Sequence, residues 1–117
     1  MLEIFIDGAS KGNPGEASVG ILIRQDGKVV KAISKTIGLA TNNVAEYTAL
    51  LYALAELLAM NAKKIKIHTD SALLYNQLLG RYQVKNDLLK TLFDQAQELG
   101  RKFEDIQIVN IPREKNK

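Results

Sequence analysis

The stretch IFIDGASKGNPGEASVG, residues 4–20, begins as an apolar strand and passes through Asp7 into a segment rich in glycine and proline. This segment matches neither a Walker phosphate loop nor a GxGxxG dinucleotide motif, and an apolar strand follows it where those motifs need a helix. Asp-Gly is also an ordinary turn pair, so Asp7 could do no more than turn the chain. The stretch therefore predicts two neighbouring strands with a carboxylate at the mouth of the loop that joins them.

Alternating and helical hydrophobic patterns predict the elements that follow. Asp26-Gly27 between two apolar runs is a strong hairpin signal, and the Ala/Leu-rich run at 44–60 is typical of a helix buried against a sheet. The predicted elements are strands at 2–7, 17–25, 28–37, 63–70 and 105–112, and helices at 44–60, 71–80 (ended by Gly80) and 87–100 (capped by Asp87 and ended by Gly100). The order β-β-β-α-β-α-α-β predicts one α/β domain over residues 1–117, with a hairpin-led, five-stranded mixed sheet flanked by helices.

The composition is that of an ordinary globular protein, with 46% apolar and 25% charged residues. No apolar run is long enough to span a membrane, and LEIFI near the N-terminus lacks the basic start of a secretory signal. The absence of cysteine excludes disulfides and thiolate metal sites and fits a reducing compartment, so we expect a cytoplasmic protein with no membrane partner. The net charge of +3 weakly favours a polyanionic partner.

Three carboxylates stand where predicted elements begin or end, and each has a purely structural explanation. Asp7 could turn the chain after the first strand. Asn43 and Glu46 have the spacing of a capping box at the start of the long helix. Asp70 follows the fourth strand and could cap the helix after it.

Glu46 fits its structural explanation poorly. At about 100° per residue it shares a helix face with Leu50 and Leu57, the face expected to pack on the sheet, and a buried acid needs a partner. Functional groups gather at the carboxyl ends of parallel strands, where Asp7 and Asp70 are expected. Three carboxylates brought together there would raise one another's pKa unless a cation lay between them. Because oxygen ligands of this kind suit Mg²⁺ or Mn²⁺, the three acids together predict a divalent-metal site.

The wording, order and spacing of three motifs, IDGASKGNPG, TNNVAE and TDS, resemble the type 1 ribonuclease H family over the whole chain. The family's fold is a five-stranded mixed sheet with helices on both faces. The resemblance implies that Asp7, Glu46 and Asp70 are catalytic and hold two divalent ions, Mg²⁺ or Mn²⁺, one activating a water and the other stabilising the leaving 3′ oxygen. The implied activity is endonucleolytic hydrolysis of the RNA strand of RNA–DNA hybrids, with 5′-phosphate and 3′-hydroxyl products.

The resemblance also implies contacts with the hybrid. Asn13 and Asn42 match positions that contact the RNA strand near its 2′-hydroxyls, the groups that distinguish RNA from DNA. Asn43 lies beside a DNA-strand contact, and Thr41 and Asn86 match a pocket for a DNA-strand phosphate. The alternative for Asn13 and Asn42 is ordinary loop and cap chemistry, for which asparagine is favoured.

The sequence departs from the family in two loops. Some members carry a basic, aromatic-containing protrusion after the second helix, but here Gly80 leads almost directly to VKNDL, so we expect weaker or more salt-sensitive hybrid binding. Many bacterial members place a histidine after the last strand, where this chain has VNIPREKNK. His68 is the only histidine, and we expect it to be a residue of the sheet face rather than a substitute.

The third departure is at the C-terminus. The family's fourth carboxylate lies on a final helix, about one helical turn past an asparagine that matches Asn116. The sequence ends at Lys117, so we expect either a chain truncated before the last helix or a protein that works with three ligands. A monomer is expected with that helix present. Instability or self-association is expected without it, because an uncovered apolar face seeks cover.

Other functions are open at this point. A non-catalytic hybrid-binding module, or an inactive fragment, would keep the groove without a complete metal site. A nucleotide-binding domain of the actin and sugar-kinase type shares the topology but needs a second phosphate loop and a longer chain. A nuclease for DNA junctions is disfavoured because GNPG and TNN match the hybrid-binding positions.

Overall fold

The computed structural model describes residues 1–115, which form a layer of helices on a five-stranded mixed sheet. Asn116 and Lys117, and the final helix expected after them, lie outside the described residues. The elements are β1 (Leu2–Ser10), β2 (Gly15–Gln25), β3 (Lys28–Ala40), α1 (Asn42–Ala59), β4 (Lys64–Thr69), α2 (Ala72–Leu78), α3 (Asp87–Gly100), β5 (Asp105–Asn110) and a 3₁₀ turn (Arg113–Lys115). The element order and the number of strands confirm the predicted fold class.

β1 lies at the centre of the sheet. The strand order is β3-β2-β1-β4-β5, with antiparallel pairing from β1 to β3 and parallel pairing of β4 with both β1 and β5. Antiparallel neighbours need only tight turns, whereas each parallel pair needs a crossover, usually helical. The chain therefore completes three strands before its first helix.

The hairpin and the strand ends show where local sequence was sufficient and where it was not. Asp26 and Gly27 have positive φ values of 55° and 79°, as in the turns that join twisted strands, so the predicted hairpin is confirmed. β1, however, continues through Asp7 to Ser10, because β2 starts at Gly15 and pairs with this extension. The prediction that the strand ends at Asp7 is wrong, and the alternative in which Asp7 only turns the chain does not apply.

α1 covers the centre of the sheet with an apolar face. Leu50, Ala53 and Leu57 are at most 2% exposed and belong to the same core cluster as Ile4 of β1. Burying each large side chain of this kind contributes about 1.5–3 kcal/mol. Glu46 lies on the same face and is 6% exposed, as its position in the sequence predicts. Although α1 is rich in alanine and leucine, no helix among residues 1–115 is both long and apolar enough to cross a membrane.

α1 begins earlier than predicted. Thr41 has an extended backbone, and its side-chain oxygen accepts a 3.2 Å hydrogen bond from the amide of Val44, so Thr41 is the N-cap. Glu46 then lies beyond the first turn of the helix, too far along to reach back to the cap. The capping box predicted for Asn43 and Glu46 is therefore wrong.

The two shorter helices also have caps one residue away from those predicted. Ser71 accepts a hydrogen bond from the amide of Leu74 and caps α2, so Asp70 precedes the cap. Asn86 caps α3, and Asp87 is the first helical residue, where the helix dipole favours an acid. The cap predictions for Asp70 and Asp87 are wrong, because in each case the neighbouring polar residue has the extended backbone that capping needs.

The second face of the sheet, which we call the open face, is not covered by any helix within residues 1–115. It carries the side chains that alternate with the buried isoleucines, among them Phe5, Leu22, His68 and Val109. Most of these side chains are partly exposed. The described helices therefore all pack on one side.

Candidate metal centre and nucleic-acid interface

Three acidic side chains meet at the end of the sheet where the parallel pairing of β1 with β4 stops. Ile6 of β1 pairs with Thr69 of β4, so Asp7 and Asp70 occupy the next positions on parallel neighbours. Glu46 approaches from the first half of α1. One carboxylate oxygen from each of the three residues lies within 4.8 Å of the others. The structure thus brings together the three carboxylates that the sequence singles out.

Gly8 allows α1 to approach β1 this closely. Its amide donates a 2.6 Å hydrogen bond to Oε1 of Glu46. A Cβ at this position would lie 2.5 Å from the backbone nitrogen of Glu46 and would also overlap the backbone of Ala45. The glycine after Asp7 is therefore needed for close packing and not for a turn.

Burial and mutual repulsion weaken the acidity of this cluster. Burial raises the pKa of Glu46 from its ordinary 4.5 to about 7, an effect that the Gly8 hydrogen bond opposes and the charges of Asp70 and Asp7 reinforce. The pKa of Asp7 is raised as well, first by burial and then by the charge of Asp70. Shifts of this kind mark an excess of negative charge that a bound cation would relieve.

The donor set fits a divalent cation. Carboxylate oxygens are the ligands that Mg²⁺ and Mn²⁺ prefer, and Mg²⁺ usually keeps several waters when it binds. Asp7, Glu46 and Asp70 line a cleft of about 330 Å³, which has room for hydrated ions. These three residues could therefore hold the metal that their spacing predicts.

Arg113 belongs to the site, although nothing in the sequence singled it out. It lies on the 3₁₀ turn after β5 and lines the same cleft, with Nε 4.0 Å from Oδ2 of Asp70. Its side chain is 86% exposed, so the guanidinium can turn towards a ligand. Its charge opposes the rise in the pKa of Asp7 and of Glu46. The signal that could have found it is a cation directly after Pro112, at the carboxyl end of a strand parallel to β4.

The glycine-rich loop is joined to the start of α1 by the two asparagines predicted to contact RNA. Oδ1 of Asn13 accepts a 3.1 Å hydrogen bond from the backbone amide of Asn42. Oδ1 of Asn42 in turn accepts hydrogen bonds from the amide and the hydroxyl of Ser10, at 2.8 and 3.0 Å. Ser10 is a second residue that the sequence did not single out. Because both asparagines use their oxygens here, their side-chain N–H groups are the donors that a ligand would meet.

The other three residues predicted to contact the hybrid lie either in the cleft or at a helix N-cap. Asn43 is exposed and lines the cleft beside the carboxylates. Thr41 and Asn86 are the N-caps of α1 and α3, and their side-chain oxygens accept helix amides at 3.2 and 3.0 Å. Helix N-termini favour phosphate, so a place in a phosphate pocket stays a prediction for both residues.

His68 lies on the open face and lines no part of the cleft. Its Nε2 is 3.1 Å from Oε2 of Glu3, and its ring stacks on Phe5 with the ring centroids 4.3 Å apart. The expectation that His68 is a residue of the sheet face is confirmed.

Solved structures show which class of protein this fold and site define. The structure of RNase H1 from the halophilic archaeon Halobacterium salinarum matches with a TM-score of 0.95 and 39% identity, covering 98% of this chain and 88% of that one. LC11-RNase H1, solved in complex with an RNA/DNA hybrid, matches with a TM-score of 0.94 and 35% identity, covering 99% of this chain and 88% of that one. The chain is therefore a ribonuclease H-like domain.

Sequence comparison identifies the family. The family model described as reverse transcriptase-like matches residues 5–117. The ribonuclease HI of Halobacterium salinarum is 41% identical over 113 residues, or 96% of this chain, and the chain spans 57% of that relative's length. The chain belongs to the reverse transcriptase-like family, and its resemblance to type 1 ribonuclease H is confirmed.

Proposed function

We propose that this domain is a metal-dependent endonuclease that hydrolyses the RNA strand of RNA–DNA hybrids and leaves 5′-phosphate and 3′-hydroxyl ends. The observation that carries the proposal is the convergence of Asp7, Glu46 and Asp70 within 4.8 Å, where the parallel pairing of β1 with β4 ends. The similarity to ribonuclease H1, including a relative solved with an RNA/DNA hybrid, supports the choice of substrate.

The three carboxylates would hold divalent cations, Mg²⁺ or Mn²⁺, with two ions per site. When bound, such ions supply a nucleophilic water at neutral pH and stabilise the charge on the leaving 3′ oxygen. Since burial raises the pKa of Glu46 to about 7, the cluster has to give up a proton before it can hold a cation near neutral pH. Protons therefore compete with the metal, so metal affinity, and cleavage at low metal concentration, should weaken as the pH falls.

The residues around the carboxylates would orient the substrate. The side-chain N–H groups of Asn13 and Asn42 are donors for the 2′-hydroxyls of the RNA strand. Arg113, beside Asp70, offers its guanidinium to a phosphate oxygen. These contacts involve the backbone and the sugars rather than the bases, so we expect hybrids of different sequence to be cut alike.

The test is cleavage of a labelled RNA–DNA hybrid by the full chain in Mg²⁺ and in Mn²⁺. Double-stranded RNA, double-stranded DNA and the Asp7→Asn variant serve as controls. We expect metal-dependent cutting of the RNA strand alone, with product 3′ ends that a polymerase can extend, and no cutting by Asp7→Asn. Cutting of all three duplexes, or equal cutting by Asp7→Asn, would contradict the proposal.

A second candidate function, a non-catalytic hybrid-binding module, follows from the number of acids at the site. Among the residues that the structure describes, three acidic side chains form the cluster. Tight binding of the hybrid without cleavage in either metal would favour this candidate over the nuclease.

Two expectations beyond the site are also proposals. A cytoplasmic location is supported by the cysteine-free sequence, and fluorescence microscopy of the tagged protein tests it. Self-association through the open face, which we expect only where no further helix covers it, is supported by the partly exposed Phe5, Leu22 and Val109. Light scattering over a concentration series tests this second proposal, and a stable monomer would contradict it.

A further inference from the structure

Buried hydrogen bonds connect the helix that carries Glu46 to the loop between α2 and α3. Tyr47, the next residue, is 1% exposed, and its hydroxyl donates a 2.6 Å hydrogen bond to Oε1 of Gln77 in α2. Gln77 is 4% exposed, and its Nε2 donates a 3.2 Å hydrogen bond to the backbone carbonyl of Gln83. The side-chain amide of Gln77 therefore connects α1 to this loop, with its oxygen bonded to Tyr47 and its nitrogen bonded to Gln83.

This polar connection fixes positions more narrowly than apolar packing would. Phenylalanine and leucine at positions 47 and 77 would fill similar space without burying polar groups, and would hold neither partner in a set direction. A hydrogen-bonded pair in a buried setting fixes distance and direction together. The Tyr47–Gln77 hydrogen bond therefore sets how α2 lies on α1.

A cavity lies beside the C-terminal end of α2, although Leu78 and Val84 pack against the core on its border. A cavity of about 420 Å³ is lined by Leu78 and Leu79 on one side and by Ala96 and Gly100 of α3 on another. α2 has only seven residues, and a helix of that length is not stable by itself in water.

The amides of Arg81 and Tyr82 donate to the carbonyl of Asn76 at 2.9 and 3.2 Å, which holds the start of the loop to α2. The hydrogen bond from Gln77 to Gln83 is the side-chain contact that holds the middle of the loop.

The loop, defined as residues 80–86, presents cations and an exposed aromatic ring. Arg81 and Lys85 make no ion pair within the described part of the chain. Tyr82 is 53% exposed, and the loop contains no acidic residue. Cations beside an exposed aromatic ring are typical of surfaces that bind nucleic-acid backbones.

The loop also lies within reach of a duplex bound at the carboxylates. α2 starts at the cleft, which Ser71 and Ala72 help to line, and its seven residues span about 10 Å. This length corresponds to about three nucleotide steps along one strand. The loop ends at Asn86, the N-cap of α3.

We propose that Gln77 is a positioning residue for substrate binding, which with Tyr47 holds loop 80–86 against the backbone of the hybrid. Arg81 and Lys85 then contact phosphates a few nucleotides from the cut, and Tyr82 contacts the adjoining sugars. The substrate class assumed here rests on the proposed function.

The first test is steady-state cleavage of a hybrid of fixed length in Mg²⁺ by Gln77→Leu and by the double variant Tyr47→Phe/Gln77→Leu. The double variant removes the Tyr47 hydroxyl together with the amide that accepts its hydrogen bond, so it avoids the unpaired buried hydroxyl that the single variant leaves. We expect KM to rise about three- to tenfold in both, with kcat within about twofold of wild type. Tyr52→Phe and Gln95→Leu change the same residue types at exposed positions and should leave KM unaltered.

Salt dependence distinguishes this role from a merely structural one. Arg81→Ala/Lys85→Ala should lower the slope of log Kd against log salt concentration by about 1 to 2. Gln77→Leu should lower the slope by a similar amount although it removes no charge, and adding it to the double alanine variant should have no further effect. An unchanged slope in Gln77→Leu, or a fall in kcat with KM unaltered, would overturn the proposal.

Limited trypsin digestion tests the positioning claim without nuclease activity. Arg81 and Lys85 are the trypsin sites in the loop, and they should be cut at least about fivefold faster in Tyr47→Phe/Gln77→Leu than in wild type at matched melting temperature. If the wild type fails to cleave hybrids, the proposed function fails, and digestion still decides the positioning role. Equal digestion rates would overturn that role.

Discussion

β1 carries one member of each of two ionisable clusters, and the clusters differ in how their charge is balanced. Near its C-terminal end, Asp7 lies with Glu46 and Asp70 in a group of three acids whose oxygens are within 4.8 Å of one another. Near its N-terminal end, Glu3 lies 3.1 Å from Nε2 of His68. The first cluster gathers like charges, whereas the second pairs an acid with a hydrogen-bond donor.

The pKa shifts express this difference. Burial, opposed by the Glu3 hydrogen bond, lowers the pKa of His68 below its ordinary 6.5, so the ring is neutral at pH 7. The pair then has a single carboxylate, which is 42% exposed to water and needs no bound cation. Burial raises the pKa of Glu46 to about 7, and the neighbouring acids add to the rise. Burial of an ionisable group therefore does not by itself mark a functional site in this protein. An uncompensated excess of one charge does.

We expect the largest loss of activity when one carboxylate of the three-acid cluster is removed. Asp70→Asn removes a carboxylate while keeping the shape of the side chain, and loss of a metal ligand should lower kcat/KM for the hybrid about 1,000-fold or more. Glu3→Gln makes the same chemical change in the other cluster and should leave kcat/KM within about twofold of wild type, because it touches no part of the cleft. Comparable losses in both variants, measured by hybrid cleavage, would show that the two clusters do not differ in function.

The next effect concerns the packing that holds Glu46 in place. Gly8→Ala would put a Cβ 2.5 Å from the backbone nitrogen of Glu46, so it should lower the free energy of unfolding by about 3 kcal/mol or more. Gly20, which pairs with Asp7 on β2, has nothing within 4 Å of an added Cβ, so Gly20→Ala should change stability by less than about 1 kcal/mol. Urea denaturation of both variants measures the contrast, and equal stabilities would contradict the close approach of β1 and α1.

The stability of the metal-free protein should depend on pH through the raised pKa of Glu46. An acid with a pKa raised from 4.5 to about 7 binds its proton more tightly when folded, so the free energy of unfolding should fall as the pH rises through this range. The fall should be at most about 3 kcal/mol for Glu46, and Asp7 acts in the same direction.

The measurement is chemical denaturation in EDTA at pH 5 and at pH 8. Glu46→Gln should flatten the difference between the two pH values, and added Mg²⁺ should stabilise the wild type more at pH 8 than at pH 5. The lowered pKa of His68 acts in the opposite direction over this pH range, but it acts in both proteins. An equal pH dependence in wild type and in Glu46→Gln would therefore contradict the assignment of charge in the cluster.

We expect the smallest change in stability when the Glu3–His68 pair is altered. Glu3→Gln retains a hydrogen-bond acceptor for His68, and the Glu3 side chain is 42% exposed, so the variant should lose no more than about 1 kcal/mol of stability. Thermal denaturation at pH 7 with wild type as control measures it. A loss several times larger would mean that this pair, too, carries a charge the fold depends on.

Much of the fold could be predicted because its signals are local. Asp26-Gly27 specifies its turn through two positive φ values, and Gly80, with φ of 78°, ends α2 as predicted. The N-caps were harder to predict, because several polar residues precede each helix. Only the path of the chain in the folded protein decides which of these residues has the extended backbone of a cap. α3 likewise continues through Gly100 to a cap at Arg101.

Some residues of the site could likewise be predicted from the sequence, and others could not. Asp7, Glu46 and Asp70 could be found because sequence motifs indicate all three, helical periodicity indicates Glu46, and Asp70 directly follows β4. Arg113 left a single signal, a cation directly after Pro112, and Gln77 left none, because each acquires its partners only when β5 or α2 is placed against the rest of the molecule. Single polar residues of this kind leave no periodic pattern in a sequence.

We propose that the three-acid cluster binds a cation and that the Glu3–His68 pair does not. Titration calorimetry with Mn²⁺ at pH 7 tests it most directly, using wild type, Asp70→Asn and Glu3→Gln. We expect wild type and Glu3→Gln to bind Mn²⁺ equally and to release a proton on binding, because the pKa of Glu46 lies near 7. Asp70→Asn should bind at least about tenfold more weakly. Equal Mn²⁺ affinity in all three proteins, or no binding by the wild type, would contradict the claim.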